Sequence, residues 1–115
     1  DSAVVGVEFC GTSITSRGGS NDGTATVLAD NPHFVFTDRE RRGYGVAEFT
    51  PRQLEVSLRV VDDVTRTDSG ISTLARFAVE QGQPKLHNDQ TTTGSATGAV
   101  VSQPTLPAGD PAHPR

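Results

Sequence analysis

Apolar and polar positions alternate most regularly from Leu54 to Val61, where Leu54, Val56, Leu58 and Val60 face one way and Glu55, Ser57 and Arg59 the other. A period of two with one apolar side predicts a strand that rests on a core and turns its other face to water or polar neighbours. Residues 44–49 form a second such run, and the Thr-Pro-Arg-Gln turn between the two sets Pro51 where its fixed φ is useful. Together they predict an antiparallel hairpin. Residues 71–80 predict a further strand, with Thr73, Ala75, Phe77 and Val79 on one face and Leu74, Arg76 and Glu80 on the other. In residues 3–9, Val5, Val7 and Phe9 alternate with Val4, Gly6 and Glu8, so apolar side chains fall on both faces and the strand reads as buried on two sides. Residues 33–37 suit a short edge strand or an extended connector. Residues 24–30 suit one or two turns of helix, stopped by the conformational restriction ahead of Pro32.

The chain changes character at His87. From there to residue 115 it consists largely of Thr, Gly, Ser, Ala, Pro and Asp, with one apolar patch at residues 99–101. Such a composition buries too little surface to offset the entropy of ordering it, so the stretch reads as a disordered or extended tail, ordered only against another surface. Two units follow: residues 1–86, which carry the strands, and a low-complexity tail over residues 87–115. With 33% hydrophobic residues and no Trp or Met among 115, the first unit has a weak core for its size.

Charge and chemistry narrow the function. A net charge of −4 gives no general attraction to nucleic acid or anionic membrane. The single cysteine, Cys10, rules out an internal disulfide and reads as a packed, inert thiol at a strand end. No apolar run approaches the roughly 18 residues that span a bilayer, and the start lacks the layout of a signal peptide. His33, His87 and His113 lie too far apart for metal-ligand spacing. A Gly-x-Ser-x-Gly elbow is absent. The loop "SRGGSNDG" could nest a phosphate but lacks a P-loop lysine. "GTSITS" directly after a strand stands where α/β folds place functional loops. In "DRERRGY", Arg39, Arg41 and Arg42 interleave with Asp38 and Glu40, which suits a solvated, internally paired turn or an anionic-ligand site.

Taken in order, "GVEFCGTSITS", "NPHFVFTDRERRGYGVAEFTPRQLEVSLRVVDDVTR" and "STLARFAVEQGQPKL" resemble the C-terminal end of the PhoD-like metallophosphoesterases. That family includes secreted alkaline phosphatases and a related actinobacterial phospholipase D. The resemblance rests on the strand ending in Glu-Phe-x-Gly-Thr-Ser-Ile-x-Ser, the Asn-Pro-His ahead of Arg-Gly-Tyr, the Thr-Pro turn and the Arg-Val-Val-Asp strand end. Cys10 stands where an aliphatic residue is expected, which favours a packing role.

The resemblance implies a four-layer α/β/β/α sandwich, to which these antiparallel strands contribute as a β-rich fragment. It also implies a binuclear iron and calcium centre whose Gly-Asp, Gly-Asn-His and Gly-Asp-Val-His ligand motifs would lie upstream of Asp1, so no metal ligand and no catalytic residue is expected here. The implied protein is a secreted or periplasmic alkaline phosphatase, phosphodiesterase or phospholipase D. Its upstream part would be this chain's partner, and the isolated chain is expected to be inactive. Thr12, Ser13, Arg41 and Arg42 are the candidate contacts to the substrate phosphate or headgroup. A small non-catalytic β-sandwich binding module is the alternative. A closed two-layer core would favour that module, and an uncovered apolar sheet edge would favour the enzyme segment.

Overall fold

The computed structural model describes residues 3–91 and 100–102. In chain order these form β1 (Glu8–Cys10), α1 (Thr24–Asp30), β2 (Phe34–Thr37), β3 (Arg42–Phe49), β4 (Gln53–Val61), β5 (Ile71–Glu80), β6 (Leu86–Thr91) and β7 (Val100–Ser102). The strands make two antiparallel sheets, one of three strands ordered β1-β7-β2 and one of four ordered β3-β4-β5-β6.

The alternating pattern places the larger sheet's core face. Val56 pairs with Phe77 and Leu58 with Ala75, so their side chains share a face. Phe36, Val56, Leu58, Val60, Leu74, Ala75 and Phe77 form the buried cluster, with Val7, Phe9, Leu54 and Leu86 packed against it. Phe77, 1% exposed, meets the ring of Phe36 at 5.6 Å and that of Phe9 at 6.1 Å between centroids. These aromatic contacts bring side chains of the smaller sheet onto the larger one.

The structure corrects the sequence pattern in four places. In the β4–β5 ladder the register shifts so that Leu58 faces Ala75 while Arg59 faces Thr73. Leu74 is therefore an extra residue in β5, a bulge that turns the strand. Thr73 moves to the side of Arg59, whose guanidinium donates to its hydroxyl, and Leu74 is buried instead of facing out. β3 begins at Arg42, two residues earlier than the apolar run suggests, because pairing with β4 extends to Arg42 opposite Val61. The first strand is only Glu8–Cys10, with Glu8 and Cys10 exposed and Val5 half exposed, so this segment is not buried on both sides. Cys10 is exposed rather than packed.

The polar C-terminal stretch is not wholly outside the fold. β6 crosses from residue 86 into it, and the backbone of β7 pairs with both β1 and β2. β7 takes up most of that stretch's one apolar patch, but its partner strands lie far away in the chain, which is why composition did not reveal the pairing. Residues 92–99 and 103–115 lie outside the described residues.

β3 is one of the two edge strands of the larger sheet, with β6 at the other edge. Tyr44 and Val46 on one face are 42% and 47% exposed and Phe49 on the other is 77% exposed. Its apolar side chains from Tyr44 to Phe49 are left uncovered among the described residues. Among the described residues no helix is long and apolar enough to cross a membrane.

Candidate functional site

Since β1 and β2 both run antiparallel to the β7 between them, they run parallel to each other, and their following loops leave the sheet on the same side. The first is the Gly- and hydroxyl-rich stretch after Cys10, and the second is the arginine cluster. The backbone N–H of Gly19 donates to the Arg39 carbonyl at 2.8 Å, and that of Gly43 donates to the Ser13 carbonyl at 3.3 Å. A Cβ on Gly18 would fall on the Glu40 carbonyl and lie 2.8 Å from its carbon, so only glycine allows the chains this approach.

Arg42 holds the junction. Its Nε and a terminal nitrogen donate to the Arg17 carbonyl at 3.2 Å and 2.7 Å, and its other terminal nitrogen donates to the Thr12 hydroxyl. The structure thus joins two of the four sequence candidates directly. Ser13 is in contact with Ser16 through their hydroxyls. Arg41 stands apart from these bonds, with no carboxylate within ion-pair distance among the described residues. It borders a narrow cleft shared with Gly11, Thr12 and Tyr44, whose free volume of about 20 Å³ is little more than one water. It also borders an open cleft of about 300 Å³ between Glu40, Arg42, Asp62 and Asp63.

The arginine turn is paired internally, but not through ion pairs. Asp38 is 2% exposed, and its Oδ1 accepts the backbone N–H groups of Glu40 at 3.2 Å and Arg41 at 3.1 Å. Its Oδ2 is buried without a hydrogen-bond partner among the described residues. Asn21 braces the same turn, accepting from the Arg39 N–H and donating to the Glu40 carboxylate, both at 3.4 Å. Sequence reading missed Asp38, Asn21 and Gly18 as organisers of the site. The Asp-x-x spacing of an Asx turn was the available signal for the first; the other two depend on contacts distant in the chain.

Burial raises the Asp38 carboxyl to about 6, against the lowering influence of its two backbone hydrogen bonds and of Arg41. A group whose pKa is raised on folding stabilises the fold while protonated, below about pH 4, and that contribution is lost as pH rises through 6. Asp38→Asn keeps the Oδ1 acceptor and removes the charge. Relative to wild type, the variant is expected to gain about 1 kcal/mol between pH 4.5 and 7.5, less than the full shift implies because the turn lies at a surface. Urea unfolding of both proteins across that range checks this; a constant difference between them would refute it.

The Arg42 clamp gives a second expectation. Arg42→Lys cannot keep both bonds to Arg17 and the one to Thr12, so the loop should open about tenfold more often, as for one lost charged hydrogen bond. Trypsin cleavage after Arg17, followed by mass spectrometry, should accelerate by that factor. An unchanged rate would mean that the clamp does not hold the loop.

Other candidate chemistry is quiet. Cys10 Sγ donates to Glu8 Oε1 at 3.2 Å, and this bond, with smaller effects of burial and the carboxylate's charge, pushes its pKa up. The thiol is exposed, yet it is disfavoured as a nucleophile. No group of three or more His, Cys, Asp or Glu able to hold a metal occurs among the described residues.

A scan against models of known protein families gives no match. The chain is 39% identical over 95 residues to alkaline phosphatase D of Bacillus subtilis (strain 168), a match spanning 80% of the chain and 16% of that protein. Its fold matches a solved structure of PhoD with a TM-score of 0.56 and 31% identity, over 76% of this chain and 16% of that one. In sequence and in fold, then, the chain is PhoD-like, and it corresponds to a C-terminal segment of that family of phosphatases.

Proposed function

We propose that the chain is the C-terminal part of a metal-dependent phosphoester hydrolase and acts only together with the remainder of that enzyme. The observation that carries this reading is the sequence identity to alkaline phosphatase D across most of the chain but a small share of that protein. In this reading the two sheets supply part of the enzyme's sandwich, the four-layer α/β/β/α arrangement that the resemblance implies. The paired loops after β1 and β2 form one wall of the substrate cleft.

Within that wall the residues divide by role. Arg42, already bonded to Thr12 and Arg17, positions the loop. Arg41, free of ion pairs among the described residues, is the cation available to a phosphate oxygen; Thr12, which borders the same narrow cleft, and Ser13 of the same loop are the weaker hydroxyl donors. The metal centre, iron with calcium by resemblance, would polarise the phosphoryl group; its ligands come from the remainder. The enzyme is secreted or periplasmic, and its substrates are phosphomonoesters, phosphodiesters or phospholipid headgroups. The uncovered edge at β3 favours this reading over a self-contained binding module.

Purification of the native material under non-denaturing conditions tests it, by intact mass, metal analysis and assays with mono- and diesters. A larger assembly containing this chain, iron and calcium, with phosphoesterase activity absent from the isolated chain, is expected. A lone, folded, metal-free chain of about 12 kDa as the native species would overturn the proposal.

A further inference from the structure

β3 stands at the end of the four-stranded order; at its Arg42 end the Gly43 N–H is taken by the Ser13 carbonyl, and beyond it β4 is the strand it pairs with among the described residues. It is eight residues long, and its register against β4 runs unbroken from Arg42 to Phe49. Exposed edges in soluble proteins are usually blunted by Pro, by Lys, by a bulge or by shortness. β3 has no Pro, Lys or bulge, and beyond the Arg42 clamp Glu48 is its one charged side chain. It also exposes apolar side chains on both faces, Tyr44 and Val46 on one and Phe49 on the other. At the other end of the sheet, β6 has a polar sequence after its first residue. The feature that needs covering is therefore on one edge.

Most of a PhoD-like protein lies outside this chain, since the match spans only a small part of either relative. Resting on the function proposed above, we infer that the free edge of β3 is the junction with that remainder, which supplies a β-strand alongside Tyr44–Phe49. The incoming strand carries apolar residues at alternate positions to cover Tyr44 and Val46. It satisfies the outward backbone groups of β3 and extends the sheet from four strands to five. The junction then begins just beyond Gly43, where the loop after β1 already bonds the edge, so the strand that joins the two parts abuts the loop clamp.

The test uses Bacillus subtilis alkaline phosphatase D shortened to end before the region this chain matches, co-produced with the full 115-residue chain. Its own missing segment, supplied separately, is the reference. The chain is expected to co-elute with the shortened phosphatase, and alternate amides of β3 should exchange at least tenfold more slowly in the complex than in the free chain. Val46→Lys should weaken the complex tenfold or more with little change in the free chain's melting temperature, because Val46 is already half exposed. Val46→Thr should restore it.

Complex formation that is indifferent to Val46→Lys, with β3 amides still exchanging freely, would overturn the junction and leave the segment reading standing. No complex with this chain, where the reference segment does bind, would overturn both. Protection of these same outward amides of β3 in the free chain would also overturn the proposal. If it depends on concentration, a second copy covers the edge; if it vanishes on removing residues 103–115, the chain covers itself.

Discussion

Replacing Gly43 with alanine is expected to cost about 3 kcal/mol or more and to open the β3–β4 hairpin at its Arg42 end. A Cβ at this position would fall on the carbonyl oxygen of Arg59 and lie 2.8 Å from Val60 Cα. Both obstacles are backbone atoms of the paired strand, so no side-chain rotation relieves them. Separation of the strands would release the pairing of Arg42 with Val61, and with it the guanidinium that clamps Thr12 and Arg17. The effect should therefore reach the candidate site as well as the sheet.

Gly45 is the internal control. A Cβ there meets only the Leu58 side chain at 3.9 Å, an ordinary contact, and alanine removes backbone freedom from the unfolded chain. Gly45→Ala should be neutral or slightly stabilising. Urea unfolding followed by circular dichroism separates the two variants, and trypsin cleavage after Arg17 reports whether the loop loosens with the hairpin. Equal stability of the two variants would show that the backbone at Gly43 adapts, and the close approach would lose its significance.

The contrast between these glycines shows what sequence can and cannot convey. The hairpin was legible because Val56, Leu58 and Val60 alternate with polar residues, a signal carried by neighbours in the chain. Helix α1 was legible from Pro32. The bulge at Leu74 was not, because a bulge depends on the partner strand's register and leaves the composition of β5 unchanged. β7 was hidden for a related reason: its backbone completes the sheet between β1 and β2 across a separation of about 65 residues or more, and long-range pairing leaves no local period. At the site, the glycine-rich loop and the arginine turn could each be picked out. Their mutual zipper through Gly18, Asn21 and Arg42 could not, since each of those partners lies far away in the chain and is chosen by the tertiary fold. Interleaved acidic and basic residues suggested ion pairs, yet Asp38 turned to backbone N–H groups that a buried carboxylate must satisfy first.

Phe77→Ala is expected to cost about 3–5 kcal/mol, the range for deleting a buried aromatic side chain. Phe77 is the largest fully buried side chain and contacts Phe36 from β2 and Phe9 from β1. Its loss leaves a cavity where the smaller sheet rests on the larger. That smaller sheet has strands of only three, four and three residues, too short to stand without the surface they cover. The larger sheet keeps its β3-β4-β5 ladders. The variant should therefore lose hydrogen-exchange protection first in β1 and β2, and with it the alignment of the two loops that follow them. A melting temperature lower by roughly 12–20 °C would accompany this, at about 4 °C or more for each kcal/mol in a domain of this size. Phe77→Leu, which keeps most of the volume, should cost about 1 kcal/mol and preserve protection in both sheets. Uniform loss of protection across β1 to β5 in Phe77→Ala would show instead that the two sheets unfold as one unit, and that the site's two loops draw their order from the whole domain rather than from this aromatic contact.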